Sequence, residues 1–94
     1  MQKINICGIP HTIHYMDCNF DADCEKWGQI DYRKAEIRIN QNMNFAIQKE
    51  TLCHEVIHSI LLHIGKEEES EDEGFVSLLA NAIMQSFEPK IYEE

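Results

Sequence analysis

Five consecutive residues, His54-Glu55-Val56-Ile57-His58, have the types and spacing from which metal-assisted hydrolysis is built. On a helix, residues four apart lie on one face a turn apart, so His54 and His58 can aim their imidazoles at one point. Glu55 lies ~100° round the helix, within reach of a water at that point but not of the metal itself. A zinc ion held by neutral imidazoles keeps an open position and lowers the pKa of bound water toward ~7. Glu55 then fits the role of general base, taking the proton as water attacks a carbonyl and delivering it to the leaving amine. A pattern with three fixed positions also arises by chance on amphipathic helices. The context weighs against chance, because the motif flanks a strongly periodic apolar stripe, with a hairpin upstream and an acidic-headed helix downstream.

A catalytic zinc needs a third protein ligand. His63 is five residues past His58, ~140° round the helix, and points elsewhere. The metzincin pattern is excluded, since its Gly and His positions are occupied here by Leu61 and Ile64. Asp72 and Glu73, at the head of the next helix, are the better candidates. From His58 the first helix runs ~10 Å onward to Gly65, and residues 66 to 72, if extended, can return ~25 Å. The second helix must therefore begin level with His58. Glu73 borders its apolar face, as the zinc site borders the core, whereas Asp72 points to the middle of that face. A competing role for Glu73 is the N3 position of a capping box, Ser70-Glu71-Asp72-Glu73. In that case Asp72 or Glu69 is the alternative ligand.

The elements that must position these residues are legible from periodicity. Ile4 and Ile6, then Ile9 to Tyr15, suggest two short strands around a Gly8-Ile9-Pro10 turn. Residues 17 to 27, rich in Asp and Asn, read as a loop. A clearer hairpin follows: residues 29 to 32, a turn at Arg33-Lys34, and residues 36 to 40, where Ile37 and Ile39 alternate with Glu36, Arg38 and Asn40. From about Phe45 to Ile64 the period becomes helical, with Cys53, Val56, Ile57, Ile60, Leu61 and Ile64 on one stripe and Gly65 as the C-terminal cap. The run from Glu67 to Glu73 reads mostly as a solvated loop. A second helix is expected over roughly residues 71 to 87, ended by Pro89. The order β-β-β-β-α-α predicts one α+β domain over residues 1 to 94, a small sheet of N-terminal hairpins packed against two helices.

Bulk composition narrows the function. Seventeen acidic against eight basic residues give a formal net charge of −9, which argues against nucleic-acid binding. Neither a signal peptide nor a transmembrane segment is discernible, so a cytoplasmic protein with no membrane role is expected. Cys7, Cys18, Cys24 and Cys53 then read as reduced thiols, with Cys53 in the core. A second metal site from Cys18, Cys24, His11 and His14 is disfavoured by the Cys-x5-Cys interval; ordinary buried thiols and strand-surface histidines are expected instead. Trp27, Tyr15, Tyr32 and Tyr92 have no spacing that selects one to polarise a substrate carbonyl.

The run 36 to 40, the stretch Thr51 to Leu61 around the His-Glu-x-x-His core, Glu73-Gly74-Phe75-Val76 and Leu79-Ala80-Asn81 together resemble the ImmA/IrrE-like group of small phage and mobile-element metallopeptidases. The resemblance spans most of the chain. It implies a minimal zincin fold, His54 and His58 as zinc ligands, Glu55 as base and Glu73 as third ligand. It also implies a cytoplasmic zinc peptidase acting on a regulatory protein such as a repressor. Longer members carry Glu-x-x-Ala-Asn-x-Phe-Ala on the second helix; here Val76 and Ser77 follow Glu73, with Ala80 in phase. The expectation is a zinc-dependent hydrolase whose protein or peptide substrate binds in extended form along the strand near Ile37 to Asn40. A zinc-stabilised binding module without activity and a metal hydrolase of non-peptide substrates are the alternatives.

Overall fold

The computed structural model describes residues 1–17 and 27–94. Cys18, Cys24 and most of the expected 17–27 loop lie outside the described residues. The elements run β1 (Gln2–Ile6), β2 (Ile9–Met16), β3 (Gly28–Asp31), β4 (Glu36–Asn40), α1 (Phe45–His63), α2 (Glu67–Glu71), α3 (Glu73–Met84) and β5 (Ile91–Glu93). The chain is α+β, with a five-stranded sheet of order β3-β4-β2-β1-β5 packed against helices. No helix among the described residues is long and apolar enough to cross a membrane.

Both N-terminal hairpin turns use the left-handed region, at Cys7 (φ 50) and Gly8 (φ 82) after β1 and at Ala35 (φ 52) before β4. β1 pairs antiparallel with β2 and with β5, and β3 pairs antiparallel with β4. β2 and β4 pair in parallel, Ile13 opposite Ile37. The second hairpin therefore joins the sheet through β4 and leaves β3 as an edge. Period-2 alternation then puts Ile4, Ile6, His11, Ile13, Ile37 and Ile39 on one buried face.

That face is covered by α1. The helix starts at Asn44, whose side chain accepts the Ala46 N–H at 2.8 Å, and ends beyond His63 at Gly65 (φ 84). There Lys66 N–H reaches back to the Leu61 carbonyl at 2.8 Å, satisfying one end-of-helix acceptor as expected of a glycine cap. The expected single apolar stripe is in fact two. Leu52, Val56 and Ile60 pack on the sheet, while Cys53, Ile57 and Leu61 pack on Val76 and Ala80 of α3. Ile60 touches both clusters, and Ile64, assigned to the stripe from its spacing, is mostly exposed. α1 is thus the middle layer between sheet and α3.

Three other features depart from the sequence reading. The acidic run is not a loop through residue 73, because Glu67–Glu71 form the short helix α2. The last long helix spans Glu73–Met84 rather than 71 to 87. A fifth strand follows it, closing the sheet beside β1.

Gly28 sets how near the edge strand comes to α1. A Cβ there would stand 2.6 Å from Thr51 Cγ2 and 3.1 Å from the Arg38 carbonyl oxygen. Gly28→Ala is expected to destabilise the protein by ~1–3 kcal/mol, the usual range for overpacking. Adding Thr51→Ser, which removes the clashing methyl, should restore part of that loss as a non-additive pair. Urea unfolding of the two variants checks this; equal stability of Gly28→Ala and the parent would refute the contact.

Candidate metal centre

His54, Glu55 and His58 all come from the middle of α1, and Glu73 is the first residue of α3. The structure brings three of them to one point. His54 Nε2 lies 2.9 Å from Glu73 Oε2, and His58 Nε2 lies 3.1 Å from Glu73 Oε1. The two histidine Nε2 atoms are 3.0 Å apart. Ligands ~2.0–2.1 Å from a tetrahedral zinc stand roughly 3.3 Å from one another, so the observed triangle is close to the size that such an ion would span. Two nitrogens and a carboxylate oxygen form a donor set suited to zinc. Among the described residues this is the group of metal-ligating side chains dense enough to hold an ion.

Hydrogen bonds on the far side of each ring favour that use. His58 Nδ1 faces the Ser70 backbone carbonyl, which can only accept, so Nδ1 carries the proton and Nε2 presents its lone pair to the triangle. Ser70 answers with a second bond, its hydroxyl donating to the His58 carbonyl at 2.8 Å. This buried pair ties α2 to α1. His54 Nδ1 lies 3.4 Å from the Ser77 hydroxyl, compatible with the same tautomer. Ser77 is four residues past Glu73, so both rise from one face of α3.

Asp72 takes the capping role considered for Ser70. Asp72, the alternative ligand, is the N-cap of α3; its Oδ1 accepts the Phe75 N–H at 3.0 Å. Ser70, expected as cap of a box ending in Glu73, instead sits in α2 against His58. Glu73 is the first helical residue and is not drawn to the backbone as an N3 residue would be. Its carboxylate lies at the N-terminal, positive end of the α3 dipole.

Around the triangle is a cleft of about 540 Å³ between β3 and the two helices. Glu55 lines it and is only 6 % exposed. Of the four aromatic candidates, Trp27 and Tyr32 line it too. Tyr15 and Tyr92 are bonded elsewhere on the sheet, to Gln2 at 2.6 Å and Asn5 at 3.1 Å. The signal for Tyr32 was available in its register, since Gly28, Ile30 and Tyr32 share the helix-facing side of β3 and its continuation. Burial pushes the Tyr32 phenol above its usual pKa; Ser70 pulls it back, and the charges of Glu55 and Glu73 push it up again. The phenol therefore stays a proton donor through the neutral range.

The remaining candidates lie apart from this point. His63 turns away as its spacing implied, its Nδ1 donating to the Ser59 carbonyl at 2.7 Å. His11 corrects the reading of a strand-surface histidine. It is 1 % exposed, with Nδ1 against the Ile9 carbonyl at 2.8 Å. Its position on the same face as Ile13 was the available signal. His14, on the other face, stands 3.7 Å from Glu36. Cys7 and Cys53 are free thiols, and burial followed by the Glu50 charge raises the Cys53 pKa. The strand near Ile37 to Asn40 is β4, paired on both sides, so it has no open edge for a peptide; the strand beside the cleft is β3.

If these three residues hold zinc, Glu73→Ala should weaken its affinity by ten-fold or more, on the scale of disrupting a metal shell. Asp72→Ala should instead cost ~1 kcal/mol of stability by removing the cap, with little effect on affinity. A competitive chelator titration beside urea unfolding separates the two, and the reverse ranking would move the ligand to Asp72.

Compared with protein-family models, with curated proteins and with solved structures, the chain has no match.

Proposed function

We propose that this chain is a zinc-dependent hydrolase of the peptidase type, with His54, His58 and Glu73 as ligands and Glu55 as general base. The observation that supports the reading is the convergence of two imidazole nitrogens and one carboxylate within 4.8 Å of one another, in a cleft lined by Glu55. A divalent ion held by these residues supplies Lewis acidity, acidifying water and polarising a carbonyl. Glu55 takes the proton from the attacking water and returns it to the departing amine nitrogen. Its burial keeps competing water away from that proton path. Tyr32 donates its O–H to the carbonyl oxygen as charge develops there. His58 is held in its ligating tautomer by the Ser70 carbonyl.

The substrate in this reading is a protein segment bound in extended form. β3 is four residues long, lies at the sheet edge and borders the cleft. A peptide backbone adding to that edge passes over the metal ligands. We place the reaction in a reducing cytoplasm, with which the free thiols of Cys7 and Cys53 accord.

A second reading has its own observation. The ligands span α1 and α3, so a metal there ties two layers of a thin domain and could serve stability alone. Glu55→Gln divides the two readings. A hydrolase variant keeps its zinc and loses at least ~10² in turnover of a quenched-fluorescence peptide library. A structural site gives wild type and variant the same absence of turnover.

Tyr32→Phe should lower kcat by about 10², the scale of one oxyanion donor, with KM and zinc content nearly unchanged. A parallel rise in KM with kcat intact would make Tyr32 a binding residue only.

A further inference from the structure

The cleft has a charge pattern that hydrolysis itself does not use. Among the described residues its charged lining side chains are Glu50, Glu55 and Glu73, with no Lys or Arg. A divalent ion offsets Glu55 and Glu73 in the reading above, which leaves Glu50 as net negative charge. Glu50 precedes His54 by one helical turn, ~6 Å along the axis of α1. Among the described residues its carboxylate has no ion-pair partner; the neighbouring Lys49 is engaged by Glu88 at 2.9 Å.

An aromatic residue stands at the same end. Trp27 is 60 % exposed and lines the cleft. Its backbone is held in place, its carbonyl accepting the Asn40 N–H at 3.0 Å. Gly28, next to Trp27, closely approaches Thr51, next to Glu50, and both Trp27 and Glu50 line the cleft. An indole face and a lone carboxylate attract the same class of side chain, a Lys or Arg. An acidic side chain there would be repelled, and an apolar one would desolvate Glu50 without pairing it.

We propose that this end of the cleft is a specificity subsite for a Lys or Arg of the substrate, with Glu50 as ion-pair partner and Trp27 as aromatic wall. An extended peptide advances ~3.3 Å per residue, so the basic residue lies within two residues of the scissile bond. The −9 net charge of the chain acts in the same direction by drawing basic segments toward it. The inference rests on the peptidase reading.

The zinc-loaded protein is incubated with an equimolar library of extended peptides, and the cut bonds are identified by mass spectrometry. Lys or Arg should be enriched about ten-fold within two residues of the cut. Glu50→Gln should abolish most of that enrichment, Glu50→Lys should shift it toward Asp and Glu, and Trp27→Leu should reduce it. Glu50 is exposed, so these variants fold if zinc content and far-ultraviolet circular dichroism match the parent. Cleavage without basic enrichment, or enrichment unmoved by Glu50→Gln, overturns the subsite and leaves the peptidase standing. Cleavage no greater than that of Glu55→Gln overturns the peptidase reading and the subsite with it.

Discussion

α1 must bury two faces at once, and the arrangement of the site follows from that constraint. Leu52, Val56 and Ile60 commit one side to the sheet; Cys53, Ile57 and Leu61 commit the other to α3. At ~100° per residue His54 and His58 fall beside the second stripe, where Glu73 at the start of α3 meets them. Ser59 and His63 fall on the side of the first, next to buried His11. A helix packed on one side only would leave its histidines in solvent, free to adopt many rotamers. Sandwiching the helix restricts them, so little further order is needed for their nitrogens to meet.

What the sequence disclosed and what it withheld divide along physical lines. Local patterns were legible: the period-2 alternation of Ile37 and Ile39, the helical spacing through residues 45 to 63, and the glycine cap at Gly65. The i, i+4 relation of His54 and His58 was also legible, because helical geometry alone dictates it. Pairing was not. Nothing in the alternation of β4 tells whether its neighbour is β2 or β3 on a given side, so its interior place in the sheet and the edge position of β3 were missed. Split burial of α1 was missed for a related reason, since a broad apolar stripe looks the same whether one partner covers it or two. The place of Ser70 escaped because a serine before Asp and Glu fits a cap, and only its burial against His58 reveals the other use. The burial of His11 follows from register as well, through its place on the face of Ile13. Chain return brings Glu73 within reach of His58, and α2 shortens that return by coiling part of the connection.

Polar groups buried in so thin a domain carry obligations. The hydroxyl and carbonyl of Ser70 are matched by two groups of a single residue, His58. Among the described residues no buried side-chain nitrogen or oxygen is left without a partner. His54, His58 and Glu73 satisfy one another in part, but two lone-pair nitrogens beside a carboxylate form an electron-rich triangle. A proton shared between the rings or a cation relieves it. An ion that binds the folded chain and not the unfolded one adds its binding free energy to stability. In a chain of 94 residues such a contribution would be a sizeable fraction of the whole.

The three converging side chains and the serine behind one of them all fall between residues 54 and 73, a single uninterrupted segment. The cleft wall opposite comes from another piece of chain, the β3–β4 hairpin, which supplies Trp27, Gly28 and Tyr32. One tight contact, Gly28 on Thr51, sets the hairpin against the helix that carries the two histidines. Such a division makes the molecule modular. Changes of side chain along the hairpin can recast the cleft wall while the segment carrying the three converging side chains stays untouched, provided the glycine at the seam is kept. Descendants of one ancestral chain could vary that wall and still share an identical cluster.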